Sequence, residues 1–457
     1  MKKIHFILLS SLIFILLFYN EGVGVNLALF GLALIAFICY FFQEKFSQRL
    51  HLFLVITSVL SCFAFAWYGD FVSFLALFLS IVFLQFKVQD SGLKLVQVFP
   101  LIFLNGITTL GRVFMFSQYL SKRKVNNNLA KKLIAYGVIP AVFLGLFFVV
   151  YSFGSNHFSS LFTDYYLDLD VWHLVVIAIL GFYFSFTFWN YWIPEICYEK
   201  NSVLDNDFNK NERIEAVPSF SFLDIDFERK SGEITLFLLN LLLVVFIVTY
   251  NYEQFFEAVQ KAKLSADTHE RVNAVIFSII MAVGVILFYF KSGFNFDVKA
   301  NSLKKLAKIW IVLNAVLIVS TLIKNAEYVS YYGLTYKRLG VCVFLILAII
   351  GLFFSFTKII RQKTNAFLFN QMVWYCYGTI LLCSYVNWGN LITHYNIAVN
   401  KGVDPNFLRS LNYNDNLRNA FFEEENIEDV WVNYDLNKNK KATFLSKALY
   451  YEFVETE

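Results

Sequence analysis

The amino-acid sequence predicts an all-α protein with many membrane-spanning helices. Of its 457 residues, 58% are hydrophobic and only 16% are charged, which is too apolar for a soluble domain of this length. Apolar runs of about 20 residues, the length needed to cross ~30 Å of hydrocarbon, recur from the N-terminus to about Asn387. We therefore predict a polytopic membrane protein of about 11 or 12 transmembrane helices, followed by a small, mainly helical soluble domain.

Eleven apolar runs are long and continuous enough to be clear candidates for transmembrane helices. A twelfth segment, residues 95–116, is doubtful because Pro100, Asn105 and Gly106 interrupt it and Arg112 lies near its end. The eleven runs are residues 4–19, 25–42, 50–67, 71–86, 133–153, 173–193, 234–250, 272–290, 309–323, 339–357 and 371–386.

The distribution of Lys and Arg predicts how the chain is threaded. From residue 117 onward, one alternating set of loops carries eighteen of these residues and the intervening set carries six. Because positive charge marks the cytoplasmic side, the first set is predicted to lie inside and the C-terminal region outside. Lys2 and Lys3 also favour the inside, and both conditions hold only if one early segment, such as residues 95–116, is re-entrant or interfacial. Twelve crossings with both ends outside is the competing interpretation.

Residues 327–339 are a polar and aromatic stretch between two long apolar runs, and we call them the hinge. Gly333 can adopt the positive φ that reverses the chain, and Thr335 fits the N-cap of the next helix. The four tyrosines of the hinge suit a membrane–water boundary. The sequence therefore predicts a sharp helix–helix turn at the edge of the membrane.

Two cations of the hinge, Lys337 and Arg338, fall in the first turn of the helix that follows. The helix macrodipole disfavours an exposed cation there by ~0.3–1 kcal/mol. Glu327, an anionic lipid headgroup or an acidic partner would compensate. The alternative is that both side chains only extend to the interface, as long cationic side chains commonly do.

Two hydrophilic regions interrupt the apolar pattern and set the predicted domain limits. The first is a loop at 199–233 within the transmembrane domain of residues 1–388, where an alternation of apolar and acidic residues at 220–230 fits a short strand or an interfacial segment. The second is the soluble region 389–457, in which Asp404-Pro405 predicts a helix start. Its predicted core residues are Trp431, Phe444, Leu445, Leu449, Tyr450 and Phe453.

Three polar residues in or beside apolar runs have two interpretations each. Asn240 and Asn314 lie in mid-helix, where a side-chain amide either joins neighbouring helices or lines a transport path. His269 precedes a predicted membrane helix by three residues and could titrate near neutral pH as a proton sensor, or it could be an ordinary solvent-facing histidine.

The sequence predicts neither a metal site nor a cofactor. Two stretches, which begin at Asp205 and Asp435, imitate the first ligands of a calcium loop, but both have Lys where Gly is required and lack the closing Glu. The six cysteines have no Cys-x-x-Cys spacing, so we interpret them as small core side chains. Asp164, Asp168 and Asp170 crowd one external loop, which fits either a lipid-linked transferase or an ordinary acidic loop. A net charge of +4 is too small to indicate a nucleic-acid partner.

Several longer phrases of the sequence resemble a known family. They are residues 227–234, which include Glu233, residues 238–242, residues 269–273, which end at Asn273, and residues 332–340 and 387–397. Together they resemble the bacterial multi-pass membrane family designated a domain of unknown function, four-one-seven-three, with its broader four-one-five-three relatives. The resemblance implies a membrane location and little else, because the family has no established activity, cofactor or catalytic residues.

We therefore predict a bacterial inner-membrane protein that acts as a non-enzymatic sensing, scaffold or partner-binding protein. Its expected partners are the lipid bilayer and another membrane protein. A transporter of a small solute or lipid is the first alternative, although the apolar runs contain few of the charges that coupled carriers use. A membrane-embedded lipid-linked transferase is the second alternative.

Overall fold

The computed structural model describes residues 2–113, 170–209, 224–256, 264–291, 293–427 and 438–454, together with six positions between 136 and 151. Within these residues the secondary structure is helical and contains no β-strand. Eight of the described helices are long and apolar enough to cross a membrane, and three shorter apolar helices accompany them. The predicted fold class, an all-α polytopic membrane protein, is confirmed.

The helices follow the predicted apolar runs closely, and the predicted span 133–153 lies outside the described residues except for single positions. In chain order they are α1 Lys3–Phe18, α2 Val25–Phe41, α3 Arg49–Tyr68, α4 Phe71–Gln89, α5 Val98–Arg112, α6 Val171–Trp189, α7 Glu195–Glu199, α8 Ile225–Phe256, α9 Leu264–Tyr289, α10 Asn301–Tyr332, α11 Tyr336–Ile360, α12 Asn365–Ser384, α13 Trp388–Val399, α14 Pro405–Arg409, α15 Asp415–Glu424 and α16 Tyr450–Phe453.

Polar side chains start many of these helices by accepting a hydrogen bond from a backbone amide of the first turn. Asp70 accepts from Ser73 N at the start of α4, and Thr364 accepts from Phe367 N at the start of α12. Asp404 accepts from Phe407 N, which confirms the helix start predicted at Asp404-Pro405. Local sequence therefore determines where these helices begin.

Helices α1 to α6 and α12 pack into a first bundle around one apolar core. A chain of buried hydroxyl groups joins three of these helices at mid-length. Tyr377 on α12 donates to Thr57 Oγ1 on α3 at 2.9 Å and lies 2.8 Å from Ser80 Oγ on α4. Each hydroxyl thus finds a partner away from lipid, which holds α12 firmly in this bundle.

Helices α8 to α11 form a second bundle with its own apolar core. Trp310 on α10 donates from its indole nitrogen to the Ala282 carbonyl on α9 at 3.2 Å. The two bundles meet where α11 packs on α12, with the Phe354 ring 5.2 Å from the Tyr375 ring. The membrane part is therefore two packed groups of helices joined through α11 and α12.

Contacts between helix ends define two opposite faces of the membrane part. On the face that we call basic, ion pairs link Lys94 to Asp205 at 2.8 Å and Lys363 to Asp207 at 2.6 Å. On the opposite face, called the hinge face, His173 Nδ1 at the start of α6 lies 2.7 Å from Asn20 Oδ1 after α1. Further along this antiparallel pair, Trp189 at the end of α6 donates to Ser10 Oγ in the middle of α1 at 2.9 Å.

This arrangement places Leu95 on the basic face and Asp170 on the hinge face. The side chain of Arg112 on α5 points back toward the basic face, where it donates to Asn190 O at 2.7 Å and to Asn105 Oδ1 at 2.9 Å. That residues 95–116 are the segment that does not cross stays a prediction.

Two expectations about the hydrophilic regions need correction. Residues 225–230 form the first turns of α8 and not a strand, because the helix extends several residues beyond its apolar run. Phe444 and Phe453 are exposed and so do not belong to a core, whereas Leu449 packs against the core of the first bundle, and Trp431 lies outside the described residues. The described core of the C-terminal region is formed by other side chains. That core consists of Ile392, Leu408, Leu411 and Phe422.

Candidate functional site at the hinge and the C-terminal region

The hinge has the backbone geometry that its sequence predicts. Helix α10 ends at Tyr332, Gly333 has a φ of +84°, and the side chain of Thr335 accepts a hydrogen bond from Arg338 N at the start of α11. A positive φ strains any residue with a Cβ, so the glycine permits this reversal at little cost. Both structural predictions for the hinge are confirmed.

Arg338 is held by the hinge itself. Its guanidinium donates to the Gly333 carbonyl and lies over the rings of Tyr328 and Tyr332, at 4.2 and 6.0 Å from their centroids. A carbonyl and two aromatic faces thus compensate for a cation at a helix N-terminus. Glu327 and Lys337 are both exposed, and among the described residues no carboxylate forms an ion pair with Arg338.

The residues after α12 fold onto the hinge, and we call residues 388–427 the platform. Asn396 on α13 is fully buried at 0% exposure. Its Oδ1 accepts from Leu334 N at 2.6 Å, and its Nδ2 donates to Leu334 O at 3.1 Å and to Gly402 O at 3.3 Å. One amide side chain therefore satisfies both backbone groups of Leu334 and joins the platform to the second bundle.

The platform also contacts the first bundle, through Tyr413. Its phenol donates to the carbonyl of Tyr68, the last residue of α3, and its ring lies 5.3 Å from the Tyr68 ring. Burial raises the pKa of Tyr413, and the charges of Tyr451 and Asp70 raise it further, so the phenol keeps the proton that it donates. On the second bundle, the Tyr336 hydroxyl accepts from Asn412 N at 3.2 Å.

The interior of the platform combines apolar packing with one buried ion pair. Leu334 and Leu339 of the hinge pack against its apolar core. Arg418 donates to Asp415 Oδ1 at 2.7 Å, with both side chains almost fully buried, and Asn414 donates to Leu408 O at 2.9 Å. A buried ion pair of this kind needs good geometry to offset its desolvation, and loss of either partner would leave a buried charge unpaired.

The remaining candidate residues lie away from the hinge. Glu233 pairs with Lys230 at 3.1 Å on the basic face. Asn240 is buried and donates to Leu306 O at 3.0 Å, so it joins α8 to α10 as an interhelical contact. Asn273 is exposed on α9, and His269 lies on the same helix. Gly333, Thr335 and Arg338 therefore contact one another at the hinge, Glu327 and Lys337 lie exposed beside them, and the other four residues lie apart.

The acidic residues that suggested metal or transferase chemistry have other contacts. Asp205 and Asp207 pair with lysines, as described above, and Asp70 and Asp170 cap helices through Ser73 N and His173 N. Asp164, Asp168 and Asp435 lie outside the described residues. Within the described ranges, no cluster of three or more His, Cys, Asp or Glu could hold a metal ion, and the six cysteines are free thiols.

Sequence reasoning missed the residues that make the hinge a composite site. Asn396 and Tyr413 reach partners 62 and 345 residues away, and neither carries a local signal of its own. One signal was present, because Asn396 lies in the phrase 387–397 and Leu334 lies in the phrase 332–340. The contact between them joins two of the phrases that carry the family resemblance.

With this geometry in view, comparison with known proteins identifies the class and then the family. The class is a multi-pass helical membrane protein with a platform folded onto helix ends. The family model described as a domain of unknown function (DUF4153) matches residues 4–419, so the chain belongs to this family, the broader of the two groups named above. Neither the curated proteins nor the solved structures contain a match to the chain.

Proposed function

We propose that the protein is a non-enzymatic membrane sensor or scaffold whose platform is the partner-binding element. One observation carries the proposal: the platform is bonded to the ends of both bundles on the same face, through Asn396 to the hinge and through Tyr413 to α3. A partner that binds the platform therefore acts on both bundles at once. The coupling needs a differential interaction of the partner with two states of the platform, as in any allosteric transition.

Cross-linking in native membranes tests this role. The informative change is Asn396→Leu, which removes three hydrogen bonds to the hinge and the platform. The control is Asn390→Leu, since Asn390 is exposed on the same helix. We expect Asn396→Leu to lose the cross-linked partner at unchanged abundance and Asn390→Leu to keep it. Equal recovery of the same partner from both variants would contradict the proposal.

A transporter is the second candidate, and buried amide groups of the second bundle favour it. Asn314 is fully buried, Asn240 is nearly so, and neither Oδ1 has a hydrogen-bond donor within the described residues. Two such acceptors in a membrane bundle suit a polar solute path. A growth phenotype that is lost in Asn314→Leu but kept in Asn396→Leu, at equal abundance, would favour transport over the sensor role.

We place the platform on the extracytoplasmic side of the inner membrane. The support is the excess of Lys and Arg in the loops of the opposite face. A reporter fused after Glu457 should then behave as extracytoplasmic, and one inserted after Lys210 should behave as cytoplasmic. The opposite result at both positions would reverse the assignment.

A further inference from the structure

The last described segment of the chain, residues 438–454, lies across the first bundle, and we call it the strap. It contains a turn in which Ser446 N donates to Thr443 O at 3.1 Å and the two hydroxyl oxygens lie 2.9 Å apart. The turn sits over the connection between α1 and α2. There, Gly22 N donates to Ser446 Oγ at 2.7 Å, and the Glu21 carboxylate accepts from both hydroxyls.

The strap also provides hydrogen-bond partners for the ends of two helices that are far away in sequence. The first amides of a helix and its last carbonyls have no partner inside the helix. At the start of α2, Val25 N donates to Lys447 O and Asn26 N donates to Leu445 O, both at 3.1 Å. In the last turn of α3, Ala66 O accepts from Leu449 N at 2.8 Å. Backbone groups of the strap therefore satisfy donors of one helix and an acceptor of another.

Two glycines allow the strap to come this close. A Cβ on Gly24 would lie 2.5 Å from Lys447 N and from the carbonyl carbon of Ser446, a distance that no real side chain tolerates. A Cβ on Gly69 would lie 3.4 Å from the Cβ of Ala448. The surface between Glu21 and Asn26, together with the end of α3, is thus shaped for the backbone of a bound turn.

We infer that this surface is a peptide-binding site on the first bundle and that the strap is its resident intramolecular ligand. The site selects a turn with hydroxyl groups at its first and fourth residues, because the first donates a hydrogen bond to Glu21 and the fourth accepts one from Gly22 N. It also requires a small residue at the sixth position, where Ala448 faces Gly69. The partner chemistry is therefore a protein segment of the form Thr-x-x-Ser-x-Ala.

Because the strap is tethered to the site, a partner segment of this form would bind only after the strap is released. A covalently linked ligand has an effective concentration in the millimolar range, so a free peptide of equal affinity competes poorly with it. Release of the strap exposes the site and also leaves the ends of α2 and α3 without partners. This inference concerns the strap and does not depend on the proposed role of the platform.

Exchange of the strap in the full-length protein tests the inference. A protease site inserted within residues 428–437 allows the chain to be cut after it has folded in lipid nanodiscs, with no change in the site itself. The probe is a fluorescent peptide of residues 440–452, and its binding is followed by anisotropy. We expect the cut protein to exchange its strap for the probe and the intact protein to bind at least about tenfold less of it.

Matched variants show whether binding occurs at this surface. Gly24→Ala should abolish uptake of the probe by the cut protein, whereas Gly22→Ala should retain it, because a Cβ at Gly22 meets only ordinary contacts at 3.5 Å or more. The pair Gly22→Cys and Ser446→Cys places the two Cβ atoms about 3.5 Å apart, which suits a disulfide. Oxidation of this pair should block exchange in the cut protein, and reduction should restore it.

Three outcomes would overturn the inference. The first is equal uptake of the probe by intact and cut protein. The second is release of the strap from the cut protein without uptake of the probe. The third is a strap that stays bound after cleavage and never exchanges, which would make it a permanent part of the fold.

Discussion

On both faces of the membrane part, backbone groups at helix ends need hydrogen-bond partners, and the two faces provide them with different groups. On the basic face, lysine side chains bind backbone carbonyls at helix C-termini or in the loop that follows. Lys87 donates to Leu93 O at 2.6 Å, Lys45 donates to Val88 O at 2.6 Å, and the fully buried Lys358 donates to Phe290 O at 2.6 Å. On the hinge face, Arg338 binds the Gly333 carbonyl after α10 in a similar way, but neutral groups of the C-terminal region meet the ends of α2 and α3.

The source of the groups that bind the helix ends decides which face would respond to displacement of the C-terminal region. A lysine that binds a nearby carbonyl acts locally, and a cation at a helix C-terminus also interacts favourably with the macrodipole. On the hinge face, in contrast, the order of the helix ends depends on whether the platform and strap are in place. Under the proposed sensor role, a signal that displaces the C-terminal region would reach both bundles from this face and not from the other.

Gly389→Ala should break the hinge-face arrangement most severely. A Cβ at this position would lie 1.7 Å from the carbonyl oxygen of Asn412, so α13 and the following platform segment cannot both stay in place. We expect a loss of about 3 kcal/mol, the upper end of typical overpacking costs. The measurement is the melting temperature in detergent, together with protease sensitivity of the platform.

The control for this change is Gly378→Ala on α12, where an added Cβ meets no atom within 4 Å. Because alanine favours a helix over glycine, this control should melt at the same temperature or slightly higher. Similar melting of the two variants would show that the close approach of Gly389 to Asn412 does not stabilise the protein.

Gly333→Val should have a smaller effect on the same face. The substitution imposes a positive φ on a β-branched residue, and its Cβ would lie 2.7 Å from Asn396 Oδ1. We expect a cost of ~1–3 kcal/mol and less folded protein in membranes. The control is Gly340→Val in α11, where an added Cβ meets no atom within 4 Å. It should leave the level of folded protein unchanged. Equal levels for both variants would contradict the strain at the hinge.

Lys358→Met on the basic face should have the smallest effect. The Phe290 carbonyl keeps a second donor, Asn295 Nδ2 at 2.9 Å, and an apolar side chain of similar length can replace the buried cation. We expect the free energy of unfolding to change by less than ~1 kcal/mol, with platform proteolysis unchanged. A platform that becomes protease-sensitive in this variant would show that the two faces are not independent.

The sequence predicted those features that depend on local rules. Span length follows from the width of the bilayer, and Gly333 and Thr335 follow from the conformational needs of a turn and a helix start. These rules use a few neighbouring residues, so they identified the hinge and its geometry. They also identified the correct class of fold, because hydropathy alone decides which segments can lie in lipid.

The roles of the remaining residues depend on contacts between segments that are distant in sequence, which local rules do not predict. Lys358 is one of the eighteen Lys and Arg residues that the charge distribution assigns to the inside loops, yet it is fully buried. Leu445 and Leu449 are predicted to support a core, and Leu449 does pack against the core of the first bundle, but no pattern in the sequence indicates that backbone groups of both residues cap α2 and α3. Such roles follow from which distant helix ends are adjacent, and the apolar pattern is nearly uniform along all of these helices.

Hydrogen exchange in the Asn396→Leu variant tests the central claim most directly. The account predicts that amide exchange across residues 330–338 rises by about tenfold, the equivalent of one lost buried hydrogen bond, because Leu334 loses its acceptor. Exchange across residues 288–298 on the basic face should not change, and Asn390→Leu should alter neither region. Unchanged exchange at the hinge, or an equal rise on both faces, would contradict the claim that the platform orders the hinge face specifically.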